Sequence, residues 1–298
     1  MRTFLKWLLI LLAGLLGLAL IALAYLYITT GSQLTRVYDV QPAVVQVPES
    51  PPEELDGFQQ LMVSICAECH GPGLGGQIME EDPMFGVIAS ANLTSGEGGA
   101  GSTFTDEDWI RGIRHGLDED GTPLLIMPSN LFQTVGEEDL RAIIAYIKSL
   151  PPIDNVIPEP TLGPMGRYYL LQDPSLLPAA VIDHDLPVPP GAEPGVTLER
   201  GEYISYFCTV CHGPDFSGGP TPSSGLNLTP AGNLGHWTEE EFINTIRTGT
   251  TPEGNSFDPI EMPWKQISLL NDEDLKALWL FLQSLPPVES QTPTGEAS

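Results

Sequence analysis

Basic side chains are scarce in this sequence. Its 298 residues include 12 Lys and Arg against 39 Asp and Glu, a formal net charge of −27. A polyphosphate backbone repels such a chain, which excludes nucleic-acid binding. Cysteine is scarcer still: there are four, all within the two motifs described below, so none is left to staple a secreted disulfide scaffold. Apolar side chains are not short. At 42% of the residues they suffice for packed cores and exclude wholesale disorder. The 29 Pro and 31 Gly mark short elements joined by many turns. At roughly 100 to 200 residues per domain, the length accommodates two or three small units.

Charge is absent altogether from Trp7 to Ile28. At the helical rise this run reaches roughly 33 Å, about the hydrocarbon thickness of a bilayer. Arg2 and Lys6 precede it and Arg36 is the first charge after it. The basic bias predicts a single-pass anchor over residues 1–30 in the cytoplasmic membrane, its N-terminus in the cytoplasm and the rest of the chain on the periplasmic, extracytoplasmic side. A cleaved signal peptide is the alternative, since Ala22-Leu23-Ala24 fits a cleavage pattern, but its apolar region spans only about 7 to 15 residues.

Beyond a linker at 31–53 the chain is written twice. Asn92-Leu93-Thr94 recurs as Asn227-Leu228-Thr229, and Leu150-Pro151-Pro152 as Leu285-Pro286-Pro287. Residues 104–116 match 237–249, and residues 137–152 match 272–287. Thr105 with Asp108, and Thr238 with Glu241, have the spacing of capping boxes. Leu140, Ile143, Ile144 and Ile147 form one helical stripe, and Leu275, Leu278, Trp279 and Leu282 form its counterpart. Each copy reads as a small all-helical domain, residues 54–152 and 196–288. Residues 153–195 match nothing else; residues 151–195 hold 11 prolines and predict an extended connector whose apolar middle lies along one of the domains. Residues 289–298 read as a frayed tail.

The four cysteines occupy two identical frames, Cys66-Ala67-Glu68-Cys69-His70 and Cys208-Thr209-Val210-Cys211-His212. CxxCH is the attachment signal of c-type haem. Two thiols one helical turn apart suit the two vinyl groups of one porphyrin, and the adjacent imidazole is placed to bind its iron. A zinc site would need the two pairs to meet across separately repeated structure. A thioredoxin-like pair would need a strand-to-helix turn in a parallel fold, and no such pattern appears. A simple disulfide would not call for His after both motifs. The frames therefore predict two covalently bound haem c groups.

The repeat itself identifies the ligand on the opposite face of each iron. Copy two holds a single methionine, Met262, and the position 135 residues upstream is Met127; both precede proline. Met62, Met79 and Met84 do not recur in copy two. His70 with Met127, and His212 with Met262, are thus the expected metal ligands, an arrangement that raises the reduction potential. His115 and His236 are each replaced by Thr in the other copy, and His184 lies in the connector, so surface or hydrogen-bonding roles suit them. Trp109 and Trp264 read as walls of a haem crevice. Arg114 and Arg247 correspond, and suit either a haem propionate or a solvated helix end.

On these residues the chain resembles the membrane-anchored dihaem members of the class I cytochrome c family. Each copy shows CxxCH, Asn-Leu-Thr, an Arg-x-Gly turn (Arg114-His115-Gly116 and Arg247-Thr248-Gly249), Met-Pro, and a terminal helix closing on Leu-Pro-Pro. The resemblance spans residues 54–288 and implies an all-α fold of two tandem class I cytochrome c domains behind an N-terminal transmembrane helix. Such domains carry electrons and perform no substrate chemistry. Related domains serve as cytochrome subunits of periplasmic alcohol, aldehyde or sugar-acid dehydrogenases, some with three haems where this chain has two motifs. The implied partners are a dehydrogenase, a quinol-oxidising complex, a soluble cytochrome or an oxidase. The alternative reading is a dihaem cytochrome c peroxidase, which requires an open iron and, in that family, a His shortly after the first motif. No His occurs between His70 and His115.

Overall fold

A computed structural model describes residues 2–219 and 225–290 of the chain. Its helices are α1 (Arg2–Leu34), α2 (Gly57–His70), α3 (Asp106–Ile110), α4 (Ser129–Phe132), α5 (Glu137–Ser149), α6 (Pro164–Gln172), α7 (Leu198–Ser205), α8 (Thr209–His212), α9 (Glu239–Thr248), α10 (Trp264–Ile267) and α11 (Asp272–Ser284). Most of the expected tail, residues 291–298, lies outside the described residues.

Local chemistry explains where these helices start. Asp56 accepts from the Gln59 N–H at 2.8 Å while the Gln59 side chain accepts from the Asp56 N–H, closing a capping box in front of α2. Thr105 and Asp108, and Thr238 and Glu241, close the boxes of α3 and α9. Thr197 caps α7 and Asn271 caps α11. Three acidic residues occupy the first turn of α5, α9 and α11, where the helix dipole favours them.

The chain packs as two compact units. The first gathers residues up to 46, 69–133 and 150–187; the second gathers 47–68, 134–149 and everything from 188 on. In the first, α1 packs along α6: Arg167 of α6 donates to the Thr30 hydroxyl at 2.9 Å and stacks over the Tyr27 ring at 4.4 Å. Leu162, Leu170 and Leu177 form a small core against which Leu34, Ile88, Leu125 and Leu176 pack. α1 runs four residues past the expected anchor boundary, and among the described residues it is the one helix long and apolar enough to cross a membrane.

In the second unit α7 crosses α11 so closely that a Cβ on Gly201 would stand 2.1 Å from the Ala277 carbonyl oxygen, which only glycine permits. α2 up to Glu68 and the whole of α5 also belong here. Gln59 donates to Asp139 at 2.9 Å, and the Tyr203 hydroxyl donates to Asp139 at 2.6 Å while accepting from the Gly136 N–H.

The all-α expectation holds approximately, with two refinements. The fold is helical for about half its length but not purely so. β1 (Gln77–Asp82), β2 (Gly86–Ser90) and β3 (Thr161–Leu162) form a three-stranded antiparallel sheet with Ile78 opposite Ala89 and Gly86 opposite Leu162. The spacing between motifs accounts for the hairpin. His70 precedes Asn92 by 22 positions and His212 precedes Asn227 by 15, so copy one has seven residues more at this point. The connector is likewise not simply extended, because its apolar middle folds into β3 and α6 and buries Leu162 and Leu170.

Candidate haem sites

α2 carries Cys66, Cys69 and His70 on its last turns, and Cys208, Cys211 and His212 sit on the short helical stretch that ends with α8. The Cys208 and Cys211 thiols are free. Both helices are stopped by a glycine in a left-handed conformation, Gly71 (φ 75°, ψ 167°) and Gly213 (φ 79°, ψ 160°). The chain then folds back in the same way twice. The Gly76 N–H reaches the His70 carbonyl at 2.8 Å, and the Gly218 N–H reaches the His212 carbonyl at 2.9 Å.

Each imidazole is oriented by one main-chain carbonyl. His70 Nδ1 lies 2.7 Å from the Ala91 oxygen, and His212 Nδ1 lies 2.6 Å from the Leu226 oxygen. A carbonyl only accepts, so Nδ1 must carry the proton and Nε2 keeps its lone pair, the tautomer a metal requires. Burial holds both imidazoles below their usual pKa against the opposing pull of these bonds. Gly225 lies flat against the His212 ring: a Cβ there would stand 2.5 Å from Nδ1. Its N–H donates to the Cys211 carbonyl at 2.7 Å, and in copy one the Ser90 hydroxyl donates to the equivalent Cys69 carbonyl. Paired cysteines followed by a carbonyl-held neutral imidazole are the donor set that covalent haem needs.

The two Met-Pro turns are conformational copies. Pro128 has φ −78° and ψ 56°, and Pro263 has φ −76° and ψ 55°. The Ser129 N–H closes onto the Met127 carbonyl at 2.7 Å, and the Trp264 N–H onto the Met262 carbonyl at 2.6 Å; each turn leads into a four-residue helix, α4 or α10. Both methionines are half-buried. Among the competitors, Met62 is fully buried on α2, whereas Met79 and Met84 are exposed on the extra hairpin of copy one.

The two arginines hold these turns in place. Arg114, 1% exposed, donates to the Gln133 and Pro187 carbonyls, each at 3.2 Å. Arg247 donates to the Ser268 and Leu270 carbonyls and pairs with Asp272 at 2.7 Å. Gln133 and Ser268 are the equivalent C-terminal caps of α4 and α10. Each guanidinium thus fixes the short helix that follows its methionine, a role the sequence reading did not reach. Trp109 is buried with an unpartnered Nε1, and the Trp264 ring lies against Gly249, where a Cβ would come within 2.4 Å.

The repeated Asn-Leu-Thr string also acquires a physical role. Asn92 donates to the Ile153 carbonyl and Asn227 to the Val288 carbonyl, each at 2.7 Å. The amide oxygen of each Asn accepts from the N–H and hydroxyl of the Thr two residues on. In both copies the receiving carbonyl belongs to the residue just after Leu-Pro-Pro, so this lock ties the loop beside the histidine to the end of the terminal helix. Replacing Asn227 by Ala strands buried donors and acceptors and is expected to cost about 1–3 kcal/mol, read as a lowered Tm with attached haem unchanged.

His115 and His184, given separate hydrogen-bonding roles above, bind each other. Their Nδ1 atoms are 3.1 Å apart, the rings stack with centroids at 5.3 Å, and His184 Nε2 reaches the Ala179 carbonyl at 3.0 Å. His115 ends a π turn, Arg111–His115, where copy two keeps a regular helix. Burial first, then His184, Arg114 and Arg111, push the His115 imidazole down to about 4. An unfolded chain takes up that proton near pH 6.5, whereas the folded one resists it. Stability should therefore fall by up to about 3 kcal/mol as pH drops from about 6.5 to about 4 and be flat above that window. His115→Thr, the residue of copy two, should reduce the slope in urea-unfolding midpoints taken across that range, leaving the part that His70 and His212 contribute.

Residues 53–147 match the family described as cytochrome c oxidase, cbb3-type, subunit III, and residues 198–286 match the family described as cytochrome c. A cytochrome c subunit of alcohol dehydrogenase (quinone) from Gluconacetobacter polyoxogenes is 25% identical over 87% of this chain and 59% of its own length. The fructose dehydrogenase cytochrome subunit of Gluconobacter japonicus is 26% identical over 77% of this chain and 52% of its own length. A dihaem cytochrome c-type protein of Cereibacter sphaeroides is 24% identical over 75% of this chain and 83% of its own length. The chain thus spans little more than half of the dehydrogenase subunits it resembles. The two family matches together cover more than half of it, and they show that two cytochrome c domains follow one another in this protein.

Proposed function

We propose that this protein is a membrane-anchored dihaem electron carrier that works as the cytochrome partner of an extracytoplasmic dehydrogenase and performs no substrate chemistry itself. The observation that carries this reading is the duplication of every part of the candidate site: the same glycine stop, carbonyl-held imidazole, Met-Pro turn and arginine clamp occur in both copies. When bound, each haem c supplies one-electron Fe(III)/Fe(II) chemistry.

The chain supplies everything that keeps such a site fixed. Cys66 and Cys69, and Cys208 and Cys211, tether one haem each. The Ala91 and Leu226 carbonyls set the histidine tautomers and stop the rings from turning. The Arg114 and Arg247 clamps hold the methionine turns, so that neither thioether swings away when the charge at the site changes. Two sites built from the same residues, each offering a histidine and a methionine to its iron, would suit electron transfer. A peroxidase needs one iron specialised with an open face, and the relatives above are named as dehydrogenase cytochrome subunits or a dihaem cytochrome.

Partner chemistry follows from charge. Residues 53–152 carry 4 basic and 17 acidic side chains, and residues 196–288 carry 4 and 12. Surfaces of this sign suit a basic docking face on a dehydrogenase, a soluble cytochrome, a quinol-oxidising complex or an oxidase, and the association should weaken as ionic strength rises. α1 serves as the anchor, with the haem domains on the periplasmic side.

A pyridine haemochrome assay with a reductive titration tests the reading. Two c-type haems per chain, both cycling reversibly and neither altered by peroxide, are expected. Colourless protein from a host competent in haem attachment, or a peroxide-reactive iron, would overturn it.

A further inference from the structure

We propose that the extra hairpin of copy one and α6 form a second membrane contact, a patch that rests in the headgroup region of the bilayer beside the anchor. The inference depends on the reading of α1 as a membrane span. It assigns a lipid surface to a part of the first unit that the electron-carrier function leaves unused.

Three observations point to a bilayer as the occupant. The first is continuity with the span. The uncharged run of α1 ends at Ile28, and at that level Tyr27 and Thr30 are gripped by Arg167 of α6. An arginine stacked on a tyrosine at the end of an apolar helix is the arrangement of a membrane–water boundary, where aromatic rings and long cations collect. α6 therefore lies at the depth where the bilayer meets water.

The second is composition. Next to Arg167 on α6 stand Tyr168 and Tyr169, 50% and 51% exposed, and against them lies the hairpin tip with Met84 and Phe85, 49% and 43% exposed. The Phe85 and Tyr169 rings stack at 6.1 Å with planes 16° apart. Amphipathic aromatics with an apolar body and a polar end prefer the interface to either bulk phase.

The third is rigidity. The Met84 carbonyl accepts from the Met165 N–H at 2.8 Å and the Phe85 carbonyl from the Gly163 N–H at 2.9 Å, so the tip is fastened to the start of α6. The tip turn is itself fixed by Asp82, whose carboxylate accepts from the Met84 and Phe85 N–H groups. Gly163 and Gly166 admit this approach, since a Cβ on either would come within 2.4 Å of the tip backbone. Aromatic side chains are thus held outward by main-chain bonds, in the residues copy one has and copy two lacks. Glu80 and Glu81 beside the tip oppose anionic headgroups, which makes zwitterionic lipid the suitable surface.

The test uses the full holoprotein in phosphatidylcholine nanodiscs doped with a phosphatidylcholine bearing a diazirine near the carbonyl end of one acyl chain. Illumination and peptide mapping then report which segments touch lipid. Label on α1, on Met84–Phe85 and on Tyr168–Tyr169 is expected, and the Phe85→Glu and Tyr169→Glu variants should lose label at the patch while keeping it on α1 and keeping their haem content. Label on α1 with none at the hairpin or α6 in the unaltered protein would overturn the patch alone. Absence of label from α1 would overturn the anchor reading and the patch with it.

Discussion

Replacing Met262 by Ala is expected to halve the thioether–iron absorption of the oxidised protein and to lower the reduction potential of one haem only, while the haemochrome count stays at two. The expectation rests on the equivalence of the two Met-Pro turns, whose proline dihedrals agree within 2° and whose closing hydrogen bonds differ by 0.1 Å. A thioether ligand raises the potential relative to a second nitrogen or water, so its loss must lower it. Met127→Ala should produce the same change at the other haem, and the double variant should abolish the absorption. Met79→Ala and Met84→Ala serve as controls, because both side chains are exposed and neither methionine recurs in copy two. An undiminished signal in Met262→Ala would show that another residue binds that iron.

The repeat singled out the histidine and methionine pairs as candidates, because duplication prints those positions twice. Helix starts were legible for a related reason. A capping box is a local bargain between residues three apart, and Thr105 with Asp108 needs nothing distant to succeed. The sheet was not legible as a sheet. Its hairpin occupies the stretch where the copies differ in length, and β3 comes from the connector, so no internal comparison exposed either. The roles of Arg114 and Arg247 escaped because the partners they have in common are main-chain carbonyls, which carry no sequence signature. Asn92 and Asn227 were recognised as a repeated string but not as locks. A fixed spacing of 61 residues to the position after Leu-Pro-Pro was the available signal.

Equivalent positions also diverge where the second unit needs them to, and Arg200 is the clearest case. It stands eight residues before Cys208, as Phe58 stands eight before Cys66. The third residue of each terminal helix is an aspartate, Asp139 in α5 and Asp274 in α11, and the two are satisfied differently. Asp139 receives Gln59 and Tyr203, and burial still raises its pKa. Asp274 receives Arg200 Nε at 2.7 Å, with both side chains 1% exposed. The guanidinium also donates to the Ala192 carbonyl at 3.1 Å, approaches Asp56 at 3.5 Å, and lies 5.5 Å above the Phe58 ring.

Removing this cation leaves Asp274 buried without its partner, the situation in which breaking an ion pair costs most. Arg200→Ala should therefore destabilise the protein by about 3–5 kcal/mol. Arg200→Lys should recover little, since one ammonium cannot replace a fork that serves Asp274, Ala192 and Asp56 together. Asp274→Ala/Arg200→Ala removes both charges and should cost clearly less than the two single changes added together, because neither partner is then stranded. Denaturant unfolding of the four proteins, with haem absorbance and tyrosine emission as separate probes, measures the coupling. Additive losses would mean that the pair acts as two independent groups, and that α7 is held against α11 by the close contact at Gly201 and apolar packing alone.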